Sequence, residues 1–521
     1  MIRSLRHLGR LVRIARALAR ADALFLAEVH PLTRAGARAM ALLWPPAPRM
    51  RALRPGQRLA FALAGLGPTF IKFGQALSTR SDLLGEEVAA DLAELQDNLP
   101  AFPFAQAKAQ IEADFARPMG TIFASLEAKP VAAASIAQVH FGVDSDGREV
   151  AVKVLRPDIA ATFAAEIDFL DWLAGLALRV QPKLARLKPR EVVATFAETV
   201  RVEMDLRLEA AAAQELAENF AGDAGFRVPA VDWQRTSEHV LTLERVAGLR
   251  VDDRAAVAAA GLDPQAVVKA AAEAFFAMVF RHGFFHADMH PGNLFVTPHE
   301  NRPGGQIIAM DFGIMGRIDD ATRKTLGEML LGFLTRDYRK VAEVHIAAGF
   351  VPAHKSVDAF AQACRSIAEP ILGKPIAEIS VAKLLGQLFA ITETFEMQVQ
   401  PQLLLLQKSM LVAEGVGRNL APEVNMWDLA RPLIEDWMRT RLGPEGRVGD
   451  AATATVATLA KIPRIIDRLD AATDEARRAG LRLHPETAAA IRGGNGRSSW
   501  PGWLPWLIAG AAVMALIAGG S

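Results

Sequence analysis

Two histidines, an aspartate and an asparagine fall in one short stretch, His286-Ala287-Asp288-Met289-His290-Pro291-Gly292-Asn293. Apolar runs bound it, Phe284-Phe285 before and Leu294-Phe295-Val296 after. A second apolar run, Ile307-Ile308-Ala309-Met310, ends in Asp311-Phe312-Gly313. Two short strands that each deliver a carboxylate or an amide to the same loop end predict a hairpin holding a metal-phosphate centre. Asp288 and Asn293 are five apart, and Asp311 lies eighteen further on. That order and spacing, H-x-D-x-x-x-x-N and then D-F-G, serves phosphoryl transfer: one carboxylate beside the reacting hydroxyl or water, then two oxygen donors for a metal.

Such a centre needs a cation for the phosphates. Glu149-Val150-Ala151-Val152-Lys153-Val154 follows the turn signal Asp144-Ser145-Asp146-Gly147 and reads as a strand. Alternation puts Val150, Val152 and Val154 on one face and Ala151 with Lys153 on the other. A small alanine leaves room for a flat base, and lysine meets phosphate; a lysine solvated on an edge strand is the competing reading. Upstream, Val131-Ala132-Ala133-Ala134-Ser135-Ile136-Ala137-Gln138-Val139-His140 leads into another strand. A phosphate lysine needs a carboxylate on a neighbouring helix to hold it extended. Residues 158–219 are helical by pattern, and Glu203, Asp205 and Glu209 lie within them, the last two at i, i+4. Val240-Leu241-Thr242-Leu243-Glu244 reads as the strand that closes the small sheet. Asp263-Pro264 opens a helix to about Phe280 that leads into the first loop. After Gly313 the pattern is helical to about 440. Residues 51–99 are also helical; Lys72, Gln75 and Thr79 share one face with Gly74 beside them, the pattern of a helix laid over another polar surface or of a solvated face.

The chain has 521 residues, half of them hydrophobic, enough for two or more domains by the prior of roughly 150 residues each. A net charge of +1 argues against general nucleic-acid binding. The single cysteine, Cys364, excludes an intramolecular disulfide, fits a reducing compartment and reads as a buried small hydrophobe.

Arg3, Arg6, Arg10, Arg13, Arg16 and Arg20 recur every turn, with Leu5, Leu8, Leu11, Ile14 and Leu18 between them. This basic amphipathic helix has the pattern of a segment on an anionic membrane surface, or of a solvated face against the protein itself; it has no apolar core for a signal peptide. The uncharged run from Trp500 to Ser521, with three tryptophans at one edge, is close to the ~20 residues of a membrane span. Arg477, Arg478, Arg482, Arg492 and Arg497 precede it, so its N-terminal side is expected in the cytoplasm.

Together these residues resemble the UbiB family of atypical protein-kinase-like proteins, needed for ubiquinone biosynthesis. The resemblance covers roughly 60–440 and is carried by Lys72-Phe73-Gly74-Gln75 (the KxGQ motif), the alanine-rich loop, Val152-Lys153-Val154, Glu203-Met204-Asp205 (the ExD motif), His286 to Asn293 and Asp311-Phe312-Gly313. It implies an α+β, bilobal protein-kinase-like fold with an N-terminal helical extension and a C-terminal transmembrane helix. The expected divisions are a basic amphipathic region 1–50, a helical extension 51–119 with KxGQ, an N-lobe 120–248 with a helical insert, a C-lobe 249–442, a helix and linker 443–499, and a span 500–521. The cofactors implied are ATP and Mg²⁺. Lys153 would meet the phosphates, held by Glu209, with Asp288 at the catalytic-base position and Asn293 and Asp311 on the metal. The nucleotide would lie against Ala132, Ala133, Ala134, Ser135, Ile136, Ala137, Gln138, Val139, Ala151 and Glu244. An alanine-rich loop in place of a glycine-rich one is expected to be stiffer, because alanine tolerates positive φ poorly. The helix of Lys72, Gly74 and Gln75 would lie over the site, with Lys72 near Glu203 and Asp205, in a regulatory role.

The expected function is therefore an atypical kinase-like ATPase supporting ubiquinone biosynthesis, with its kinase-like part on the cytoplasmic side of a bacterial inner membrane. Expected partners are anionic membrane lipids, polyprenylphenol or ubiquinone intermediates and other enzymes of that biosynthesis, and no nucleic acid. No Ala-Pro-Glu follows Gly313, and the chain turns at once to helix from Asp319 to Leu334, so a docking segment for protein substrates is missing. His290-Pro291-Gly292-Asn293 also resembles the loop of small-molecule phosphotransferases. A small-molecule or protein kinase of the same pathway is one alternative, and a non-catalytic scaffold for nucleotide and lipid another. A 2-polyprenylphenol 6-hydroxylase would need flavin or iron, for which no binding fingerprint follows a strand.

Overall fold

The computed structural model describes residues 2–24, 31–78, 84–93, 95, 100–180, 188–371, 387, 391–392, 394–397, 401–424 and 426–442. The chain divides into two compact units, Met1–Arg439 and Thr440–Ser521. The elements of the fold belong to the first unit, and its closing helix runs on to Leu442. The expected linker 443–499 and span 500–521 lie outside the described residues. Among the described residues no helix is long and apolar enough to cross a membrane.

Among the described residues five helices open the fold: α1 (Ile2–Arg20), α2 (Pro31–Leu43), α3 (Pro55–Leu66), α4 (Pro68–Ser78) and α5 (Glu86–Ala93). Three of them start on proline, whose fixed φ and missing N–H suit a first helical position. Leu11, Ile14 and Leu18 of α1 turn inward, while Leu8 and Val12 face out. Arg10 donates to the Ala165 carbonyl at 2.9 Å and Arg13 to Glu166 at 2.8 Å, so part of the basic face is engaged by the protein itself.

After α6 (Phe104–Phe115) come β1 (Phe123–Leu126), β2 (Ala132–Ala133), β3 (Ala137–Asp144) and β4 (Glu149–Leu155). Helices α7 (Ile159–Val180), α8 (Pro189–Glu203) and α9 (Leu206–Asn219) follow, then β5 (Phe226–Arg227) and β6 (Val240–Glu244). Strands β1, β3, β4 and β6 form an antiparallel sheet in that order, with β2 added on β3. Val150, Val152 and Val154 bury against Ile111, Phe123 and Val240, as the alternation requires.

The second lobe holds β7 (Leu249–Arg250), α10 (Arg254–Ala259), α11 (Pro264–Phe276), β8 (Phe284–His286), β9 (Leu294–His299), β10 (Arg302–Ala309) and β11 (Met315–Arg317). It continues through α12 (Asp320–Leu334), α13 (Tyr338–Ala347), α14 (Val357–Ala368), α15 (Pro401–Leu420) and α16 (Met426–Leu442). The Asp263 carboxylate caps α11 at Gln265 N, and Asp319 caps α12 at Thr322 N. Helix α11 ends in a π-helical turn, Ala277–His282, that redirects the chain into β8. Strand β10 runs antiparallel to β9 and parallel to β5; β8 pairs with β11. Cys364 is buried in the α13–α14 core, and burial pushes its thiol up to about 12.

Helix α9 belongs to two cores. Leu206 and Ala210 pack with the N-terminal helices and the underside of the first sheet, whereas Ala213, Leu216 and Phe220 pack with Phe226, Phe280 and Phe284 of the second lobe. Glu209 lies within the first set, between Leu206 and Ala210.

Candidate active site

Strand β8 ends in His286, and the loop after it is tied down by that ring. Asp288 N donates to His286 Nδ1 at 3.1 Å, and His286 Nε2 then donates to the Met310 carbonyl at 3.1 Å. One imidazole thus links the Asp288 loop to the residue before Asp311. Asn293 repeats the link: its Nδ2 donates to the Asp288 carbonyl at 3.0 Å, and its own carbonyl accepts from Met310 N at 2.8 Å. The β9–β10 register, with Leu294 opposite Ala309, brings the two loop ends together as the two apolar runs require. Asp311 then takes φ 60°, a left-handed conformation uncommon outside glycine, held by the strands on either side.

Lys153 reaches this point from β4. Its Nζ donates to both oxygens of Glu209, at 2.8 and 2.9 Å, and lies 3.4 Å from Asp311 Oδ1. The Lys153 and Glu209 side chains are 18 % and 8 % exposed, while that of Asp311 is 53 % exposed, so the cluster opens on the Asp311 side. Burial works against the Lys153 charge, but Asp311 and Glu209 outweigh it and hold the ammonium above its ordinary range. Burial pushes the Glu209 carboxyl up, against the pull of Lys153. The Lys153 ammonium holds Asp311 below the usual carboxylate range, and Lys72 adds to that pull.

The alanine-rich stretch is a tight hairpin. Ala132 pairs with Val139 and Ala133 with Gln138, and Ala134 N donates to the Ala137 carbonyl at 2.8 Å. Among the described residues none from Ala132 to Val139 has positive φ, in keeping with a loop built on alanine. Arg156 clamps the turn, donating to the Ala134 carbonyl at 2.9 Å and to the Pro100 carbonyl at 2.8 Å. Ile136 and Ala137 are buried in the core beneath. Gln138 does not face a nucleotide: its amide is buried on Phe102, accepting from Phe102 N at 2.9 Å and donating to Phe102 O at 3.2 Å. Glu244 closes β6, where it accepts from Arg227 at 3.0 Å and from Ala230 N at 3.3 Å. Ala151 sits between Phe141 and Leu243 in the sheet register.

The residues present fit a magnesium nucleotide. Ser135 Oγ is fully buried with no hydrogen-bond partner among the described residues, an arrangement that costs free energy unless another acceptor or donor completes it. Asp311 and Asn293 are hard oxygen donors of the kind that share Mg²⁺ with phosphates. Among the described residues no three His, Cys, Asp or Glu side chains are grouped to hold a metal by themselves.

Helix α4 brings Lys72 to 3.2 Å from Glu203, both side chains largely buried. The expectation that Asp205 shares this contact is corrected: Asp205 is the N-cap of α9, outside the helix, and its carboxylate holds Arg207 through N at 3.1 Å, Nε at 2.8 Å and Nη2 at 2.8 Å. For the same reason Asp205 and Glu209 are not two positions on one helix face. Gln75 donates to the Leu95 carbonyl at 3.1 Å. A Cβ on Gly74 would lie 2.6 Å from Leu95 Cδ1 and 2.8 Å from Leu63 Cδ1, so glycine there allows α4 to seat on α3. Gly74 and Gln75 thus help to place the helix, and Lys72 meets Glu203 and adds to the field at Asp311. Thr79 lies outside the described residues. The His286–Met310 link, the Arg156 clamp and the short strand β11 had no signal in residue type or spacing.

An ABC1 atypical kinase-like domain matches residues 94–345, and a UbiB helical domain matches residues 364–425. A "Probable protein kinase UbiB" of Pseudomonas putida is 40 % identical over 480 residues, covering 87 % of this chain and 88 % of the relative. The chain belongs to the UbiB family. Its kinase-like domain spans both carboxylate loops, Lys153 and Glu209; the helical domain takes in the end of α14 and all of α15. Proteins of the same name from Marinobacter nauticus and Pseudomonas aeruginosa are 43 % and 44 % identical, over 76 % and 77 % of this chain and 72 % and 75 % of theirs. A Mycobacterium tuberculosis protein solved in complex with erythromycin shares the fold, with TM-score 0.51 and 23 % identity over 72 % of this chain and 91 % of that one.

Proposed function

We propose that the chain is an ATP- and Mg²⁺-dependent enzyme of the phosphotransferase class that supports ubiquinone biosynthesis at the cytoplasmic face of a bacterial inner membrane. The observation that carries this reading is Lys153, gripped by Glu209 and 3.4 Å from Asp311, which itself follows the Asn293–Met310 and His286–Met310 links. When bound, MgATP supplies the transferable γ-phosphoryl group and the metal charge that offsets the negative charge of the phosphates. Lys153 then meets phosphate with its ammonium held extended. Asn293 and Asp311 would hold the metal. Asp288 orients the attacking hydroxyl or water and takes its proton, with its backbone fixed by His286 and Asn293. Ser135 would offer its hydroxyl to a phosphate oxygen from the alanine hairpin.

Two features favour water or a small acceptor over a peptide. Helix α4 is anchored at Glu203 beside the site, and only the strand Met315–Arg317 intervenes between Gly313 and the capped helix that starts at Asp320. The outward apolar residues Leu8 and Val12 of the arginine-rich α1 support an anionic membrane as partner, where polyprenylphenol intermediates would be presented to soluble enzymes. The names of the relatives support the second reading, a protein kinase of the same pathway. The test is ATP turnover by the full chain on anionic liposomes with and without a phenolic lipid, comparing wild type with Lys72→Ala and Asp311→Asn. Turnover lost in Asp311→Asn supports the site; phosphate moved to protein rather than water selects the kinase reading. Equal turnover in Asp311→Asn and wild type would remove the assignment.

A further inference from the structure

In kinases the helix that carries the glutamate partner of the phosphate lysine is brought into place by a long segment after D-F-G, often on phosphorylation. Here Gly313 is followed by β11 and then at once by α12. Strand β11 is fixed to the catalytic strand, Met315 opposite His286 and Arg317 opposite Phe284. The Arg317 guanidinium lies over the Phe284 ring, 4.5 Å from its centroid, and Phe284 is itself buried. From that seat Arg317 Nη2 donates to Glu215 Oε2 at 2.5 Å. Glu215 is on α9, six residues beyond Glu209.

Helix α9 therefore has three anchors. Leu206 and Ala210 hold it to one core and Ala213 and Leu216 to the other, and Arg317 fastens it to the strand that continues from Asp311. Glu209 lies beside the first of these anchors, between Leu206 and Ala210 in sequence, and six residues before Glu215. A shift of α9 along or about its axis would carry Glu209 away from Lys153.

We infer that Arg317 is a positioning residue, whose clasp on Glu215 sets α9, and through it the Lys153–Glu209 pair, in the nucleotide-ready arrangement without an activation segment. The inference rests on the nucleotide reading above, but half of its test does not. In the full chain, Arg317→Ala and Glu215→Gln remove the clasp from opposite sides, and Arg317→Lys keeps a cation over Phe284. Two readouts are taken: amide hydrogen exchange across residues 206–219 in nucleotide-free protein, and KM and kcat for MgATP.

Both clasp-breaking variants should speed exchange in α9 and raise KM for MgATP about fivefold, the scale of one partly exposed ion pair, with kcat changed less than about twofold. Arg317→Lys should bring KM back to within about twofold of wild type. Wild-type exchange and KM in both clasp-breaking variants would overturn the inference, as would failure of Arg317→Lys to restore KM. If wild type itself neither binds nor turns over MgATP, the nucleotide reading fails, and the exchange measurement still decides the clasp.

Discussion

Lys153 Nζ sits 2.8 and 2.9 Å from the two oxygens of Glu209, a strand residue and a helix residue 56 positions apart in sequence. The pair is largely buried, so each charge depends on the other. Removing one partner of a hydrogen-bonded charge leaves a desolvation cost that the pair otherwise offsets. Glu209→Gln is expected to destabilise the protein by about 1.5–3 kcal/mol, less than for an isolated buried pair because Asp311 still faces Lys153. Chemical denaturation of the nucleotide-free chain measures it, and an unchanged midpoint would contradict the coupling.

The cluster also fixes the sign of a pH dependence. Lys153 is raised in the folded state, so its contribution is full below its ordinary value of about 10.4 and fades as pH climbs above that. Asp311 is lowered, so its contribution is present above about pH 4 and fades as pH falls below. Burial pushes Glu209 up, so its protonation as pH falls softens the acid limb. Lys153→Met should flatten the alkaline side of a melting-temperature profile relative to wild type. A parallel profile in the two proteins would show that the Lys153 charge is not held by its neighbours.

Ser135 allows a test in which stability and binding separate. Its buried hydroxyl has no partner among the described residues, so Ser135→Ala removes a desolvated group and should leave the nucleotide-free protein as stable as wild type or up to about 1 kcal/mol more stable. MgATP binding should weaken in the same variant. Loss of stability with unchanged binding would make Ser135 a packing residue only.

Gly74 tests the seat of α4. Gly74→Ala must displace the ends of Leu95 and Leu63, an overpacking cost of about 1–3 kcal/mol. The expected outcome is a lower melting temperature together with faster hydrogen exchange over residues 68–78, which reads whether α4 has loosened.

Much of this site is legible in residue order. Alternation gives the valine face of β4 and the opposite placement of Lys153, and two apolar runs with polar ends foretell the β9–β10 hairpin that joins Asn293 to Met310. Asp263-Pro264 and Asp319 announce their helices because a cap is a local device. Asp205 departs from its expected place because the same local device makes it a cap rather than a helix-face residue, which turns its carboxylate to Arg207. Gln138 departs because strand pairing turns its side chain into the core, where Phe102 satisfies its amide. The Arg317–Glu215 clasp joins residues 102 apart, and no periodicity encodes a contact made only when two lobes close on one helix.

Calorimetric titration of the full-length protein with ATP, with and without Mg²⁺, decides whether Asp311 serves a magnesium-nucleotide site when wild type is set beside Asp311→Asn. Mg²⁺-dependent binding to wild type should fall at least about tenfold in the variant, the loss of one charged metal donor worth about 1.4 kcal/mol or more. Equal, Mg²⁺-dependent affinity in the two proteins would contradict that assignment.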